Sequence, residues 1–195
     1  MTAQVSDSVH LDGTDWSVAA VDGEGLFEPE EHGLQPEATS SANWRGFVCT
    51  YAVADGRFVL RDLELSSRTT LDGLPLVPGS SVFGRPVTTF RSFDDALLAR
   101  DVELPVAFTG RMLVGDGFLW ETYEHMGFHP AWRYERVREI VVDAGRVLEV
   151  ADRSEHLAGI RDEIRSGRRR ATAASSQRDW IDETFTLSYD RSDPH

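Results

Sequence analysis

The stretch GFVCTYAVADGRFVLRDLEL, residues 46–65, constrains this chain more than any other. Two apolar runs rich in β-branched and aromatic residues flank Asp55-Gly56. That pair tolerates the left-handed backbone of a tight turn whose twist matches antiparallel strands. Pivoting there predicts Val53 opposite Phe58 and Tyr51 opposite Leu60 on one face, with Ala52 opposite Val59 and Val48 opposite Leu63 on the other. Both faces are apolar near the turn, so the hairpin is expected to be central and covered on two sides.

Three more segments carry the same signal: SVHLDGTDWSVAAV around Asp12-Gly13, PVAFTGRMLVGDGFLWETY at Gly115-Asp116-Gly117, and YERVREIVVDAGRVLEV at Asp143-Ala144-Gly145. Hairpins at this spacing predict a mainly β, α+β fold, an antiparallel meander that forms a barrel or a sandwich. Helix is scarcer. A short helix is expected near residues 92–99, with Ser92 as N-cap and Asp94 and Asp95 in its first turn. A C-terminal amphipathic helix is expected near 155–166, where Leu157, Ile160 and Ile164 form one stripe after a Ser154 cap and Gly167 ends the run. Residues 1–165 then form a single β-rich domain with the helix docked on it. Residues 166–195 read as a polar connector and tail, with one extra strand at 183–189, and residues 66–91 are the most loop-like.

Composition narrows the class. A chain of 195 residues is about the size of one domain and buries roughly 70% of its unfolded surface, so it needs no disulfide or metal to stand. Cys49, the one cysteine, lies in an apolar run and reads as a small hydrophobe, which fits a reducing compartment. Neither a leader pattern nor a membrane-length apolar run is present, so a soluble, cytoplasmic protein is expected. The net charge of −13 opposes a grip on nucleic acid and favours a basic partner. All twenty basic residues are arginine, which is read as codon usage rather than function.

Two clusters are candidate sites. EHMGFHPAW brings His125 and His129 four residues apart, with Glu121 and Glu124 nearby, but Gly127 and Pro130 break the helix that a metal pair at this spacing needs. The bland reading is a glycine turn in which Met126, Phe128 and Trp132 cap the core. NWRGF places Trp44, Arg45 and Gly46 at a strand entrance, where the guanidinium either pairs with an internal acid or clamps a ligand carboxylate or phosphate. Cys49 is too enclosed for a nucleophile, Asp94 and Asp95 fit a helix start, and the arginines of residues 165–170 fit a solvated helix end. No nucleophile elbow or phosphate loop is present.

The run from NWRGF through FTGRMLVGDG to EHMGFHPAWRYERVREIVVDAGRVLEV resembles a family of small bacterial proteins with a Trp-Arg-Gly-aromatic strand entrance, over roughly residues 10–155. The resemblance implies architectural weight for Trp44, Arg45, Gly46, Met126, Gly127, Tyr134 and Glu135, and brings no activity with it. The expected function is a non-enzymatic binding or protein-interaction module with an acidic surface, of the immunity or inhibitor kind, steered onto a basic protein partner. The alternative is a small-molecule-binding barrel or enzyme, its pocket lined by Trp44, Arg45, Tyr51, His125, His129 and Trp132 and its ligand a small anion. Neither reading calls for a cofactor, a metal, nucleic acid or a membrane.

Overall fold

The computed structural model describes residues 2–91, 95–172 and 174–193. Its main strands are β1 (Ser8–Leu11), β2 (Thr14–Glu24), β3 (Phe47–Ala54), β4 (Arg57–Ser66), β5 (Thr88–Arg91), β6 (Asp95–Ala99), β7 (Thr109–Phe118), β8 (Tyr134–Asp143) and β9 (Arg146–Asp152). Seven of them close a ring in the order β4, β9, β8, β7, β2, β1, β3 and back to β4, with β6 and then β5 added outside β4. The protein is therefore mainly β, and its sheet is ringed and mixed, since β1 lies parallel to β3. No helix among the described residues is long and apolar enough to cross a membrane.

Three of the four expected hairpins form. Asp12-Gly13, Asp55-Gly56 and Ala144-Gly145 all take left-handed backbone, as a two-residue turn between twisted strands demands. In the central hairpin Tyr51, Ala52 and Val53 face Leu60, Val59 and Phe58 as expected. A bulge between Thr50 and Tyr51 then shifts the register, so that Cys49 rather than Val48 lies opposite Leu63.

The turn expected at Gly115-Asp116-Gly117 does not form: β7 runs through it, paired with β8 as far as Phe118↔Tyr134. Gly115 serves close approach instead, because a Cβ there would lie 2.3 Å from the Tyr134 ring. The helix expected near 92–99 is likewise corrected. Residues 95–99 form β6, which pairs antiparallel with β4, while 92–94 lie outside the described residues. Ala96, Leu97, Leu98 and Ala99 are all buried, and a continuous apolar run fits a strand covered on both faces when β4 offers a free edge.

The interior of the ring is filled by Tyr51, Phe58, Leu60, Leu63, Met112 and Ile140 with their neighbours. A second cluster lies outside it, where Ala20, Leu113, Val137 and Tyr134 are covered by Leu157 and Ile160 of α1 (Ser154–Arg165). Ile164 packs at its margin, and the helix closes where Gly167, at φ +73°, donates its N–H to the Ile164 carbonyl. Ser154 does not cap the helix with its side chain; its hydroxyl accepts the Val137 N–H instead. The strand expected at 183–189 is also absent. That stretch joins α2 (Gln177–Thr184) to the single turn α3 (Tyr189–Ser192). Ser176 accepts the Asp179 N–H at the start of α2, a capping signal that outweighs the short alternation after it. Thr184, Arg191 and Ser192 are buried, so the last turns lie on the outer face of the barrel.

Candidate functional site

The six residues expected to line one pocket divide between the two clusters. Arg45 grips Asp7 with two hydrogen bonds, of 3.0 and 2.7 Å, and its guanidinium lies 4.7 Å from the Phe47 ring centre. Asp7 also accepts the Cys49 N–H at 2.9 Å. Of the two readings of Arg45, the geometry is that of an internal ion pair. Tyr51 is enclosed in the interior, stacked on Phe58 at 4.9 Å. Burial pushes the Cys49 thiol up, which opposes a thiolate. Trp44 is 55% exposed beside this pair.

His125, His129 and Trp132 lie elsewhere, on the loop from Leu119 to Arg133. The N-terminal segment runs between the two regions, holding Arg45 through Asp7 and Gly127 through a bridge at Ala3 and the Gln4 N–H. The loop's neck is closed by the Leu119 N–H on the Arg133 carbonyl at 2.9 Å. Gly127 is required at its far end: φ is +67°, and a Cβ would lie 2.0 Å from the Thr184 carbonyl oxygen. Thr184 itself accepts the Phe128 N–H.

Folding the loop this way builds an aromatic ledge. Phe118 packs against Trp120 at 5.3 Å, His129 at 4.7 Å and Tyr134 at 5.4 Å, and Tyr123 packs on both Trp120 and His129. Trp120 is 75% exposed and Tyr123 is also open to solvent. His125 is exposed and meets the Tyr123 ring edge-on. The two histidines do not converge as ligands, and among the described residues no three His, Cys, Asp or Glu side chains are placed to hold a metal ion. The acids near them are engaged: Glu121 pairs with Arg165 and Glu124 with Arg133.

Sequence reasoning missed what lies beneath the ledge. Arg133 and Arg191 are both buried. The Arg191 Nη1 donates to the carbonyls of Phe128 and Thr184 at 2.6 and 2.8 Å, and the Trp132 indole N–H donates to the Arg191 carbonyl. Burial and the neighbouring Arg133 lower the Arg191 pKa to about 10. Burial, with both arginines beside it, lowers that of His129 to about 4, so this imidazole is neutral at pH 7.

A second polar centre lies between β8, α1 and α3. Glu139, 7% exposed, accepts Arg153 Nε at 2.9 Å and faces the Tyr189 hydroxyl at 3.4 Å. Burial pushes the Tyr189 hydroxyl far up. His156 pairs with Asp193 at 2.9 Å. The cavity here is about 350 Å³ and adjoins a wider one of about 730 Å³ at the start of α1. The arginines and histidine that line these spaces already face carboxylates, whereas Trp120 and Tyr123 stand exposed on the loop.

No family model, curated protein or solved structure matches this chain.

Proposed function

We propose that this protein is a non-catalytic interaction module of the bacterial cytoplasm that engages a basic protein partner through the ledge of Trp120 and Tyr123. The observation that carries this reading is the 75% exposure of a tryptophan braced by Phe118 and Tyr123. A large ring already held in place loses little entropy on binding and is the residue type that most often dominates interface energy. Glu121, whose side chain is 60% exposed, flanks it and can exchange its surface pair with Arg165 for a cationic side chain laid over the ring. The net charge of −13 adds long-range steering toward such a partner.

The experiment is an NMR titration of the full chain with an arginine- and lysine-rich peptide set and an acidic set of the same length. The basic set is expected to shift the Trp120 indole and the amides of residues 119–125, and Trp120→Ala to abolish saturable binding. Equal response to both sets, or binding indifferent to Trp120→Ala, overturns the reading.

A further inference from the structure

Beneath the ledge, two buried guanidiniums have one carboxylate in contact, Glu124, while Glu183 acts on Arg191 from farther away. Arg133 is 3% exposed and Arg191 6%. Among the described residues, Glu124 alone brings a carboxylate within 4.0 Å of either, at 2.7 Å from the Arg133 Nη2 and 4.0 Å from the Arg191 Nη2. His129 contributes no charge; its Nδ1 accepts from the Arg133 Nη1 at 3.4 Å. The Arg191 Nη1 is spent on neutral carbonyls, and the Arg133 Nε finds no acceptor among the described residues. A guanidinium withdrawn from water without a full counter-charge is strongly unfavourable, and Arg133, with one carboxylate contact and an idle Nε, is under-compensated.

Its geometry says what kind. Nε and Nη2 lie on one edge of a guanidinium, the edge that a carboxylate or phosphate grips with two parallel bonds. Glu124 uses Nη2 and leaves Nε idle. It is also built to leave, since its side chain is 42% exposed and makes one short bond. The neighbouring rings of Phe118, Tyr123 and His129 suit an anion carried on a flat apolar body.

We propose that Arg133 and Arg191 form a buried oxyanion site for the carboxylate or phosphate of a small ligand, and that Glu124 is the internal group the ligand displaces. The site shares Glu124 and the Tyr123 ring with the interaction ledge, but it needs neither Trp120 nor a partner protein.

The test follows the arginine Nε–H resonances of the full chain during titration with benzoate and with inorganic phosphate, against sodium chloride at matched ionic strength. One of the two anions is expected to shift the Arg133 Nε–H saturably, and which one it is distinguishes a carboxylate from a phosphate ligand. Glu124→Gln removes the internal competitor and is expected to tighten binding roughly 10-fold. The ligand is also expected to raise the melting temperature of Glu124→Gln in proportion to its occupancy. Arg133→Lys loses the bidentate edge and is expected to lose the response; if that variant fails to fold, Glu124→Gln still decides. No saturable shift in either protein up to roughly 100 mM, where a millimolar site is filled, overturns the proposal. So does equal affinity of the parent and Glu124→Gln, or a chloride response of the same size.

Discussion

Arg45, partly shielded from water, and Arg133, buried, both lie beside an aromatic ring, at 4.7 Å from Phe47 and 4.8 Å from Trp132, yet their charges are met differently. Arg45 has a carboxylate of its own, gripped twice, and that carboxylate takes a third bond from the Cys49 N–H. Arg133 has one short bond to a half-exposed glutamate that also faces a second buried arginine. The first arrangement is saturated and locks the N-terminal segment onto the barrel. The second keeps electrostatic capacity in reserve, which separates a structural ion pair from a site.

Asp7→Ala tests the saturated side and carries the largest expected effect, a loss of about 3 kcal/mol in urea unfolding, because it strands Arg45 together with the Cys49 N–H. Gly127→Ala attacks the open side through its support. A left-handed residue driven against the Thr184 carbonyl is expected to cost about 2 kcal/mol, read as faster amide exchange over residues 184–193. Glu124→Gln takes away the one carboxylate in contact with two buried guanidiniums, but its half-exposed side chain leaves water to compensate, so a cost of about 1.5 kcal/mol is expected; a loss as large as that of Asp7→Ala would erase the contrast between the two sites.

Acid gives a sharper measure of the same contrast. His129 titrates at about 4 in the folded protein and near 6.5 when unfolded. Its contribution to stability is therefore complete above about pH 6.5 and is lost as pH falls toward 4, because only the unfolded chain takes up the proton in that window. His129→Gln is expected to flatten that part of the stability profile. Smallest of all, Trp120→Ala is expected to change stability by no more than about 0.5 kcal/mol, as befits an exposed side chain.

What was legible in the sequence follows the range of the interactions. Asp12-Gly13, Asp55-Gly56 and Ala144-Gly145 announce their turns because the left-handed backbone is a property of two adjacent residues. Gly115 looks the same in sequence, but its role is fixed by the Tyr134 ring on the neighbouring strand. The run at 96–99 reads as part of a short helix in sequence, and the free edge of β4 makes it a strand instead. The loop holding His125, His129 and Trp132 was visible as a dense local cluster. Its chemistry was not, because Arg191 reaches Phe128 from 63 positions along the chain and no local pattern marks it. Arg45 drew notice as a candidate clamp, and its partner Asp7 lies 38 positions upstream.

The loop is held from below by the C-terminal turns: Thr184 receives the Phe128 N–H, Arg191 receives the Trp132 indole N–H, and Ser192 receives the Ala131 N–H. These props bear on the order in which the molecule takes shape during translation. Every strand of the ring has been synthesised by Asp152, well before residues 184–193 leave the ribosome. The nascent strands thus precede these props, and residues 125–133, already held by Gln4 and across the Leu119–Arg133 neck, gain their C-terminal support last. On the function proposed above, the loop becomes competent only after the strands of the ring, because its props come from the last residues to be made.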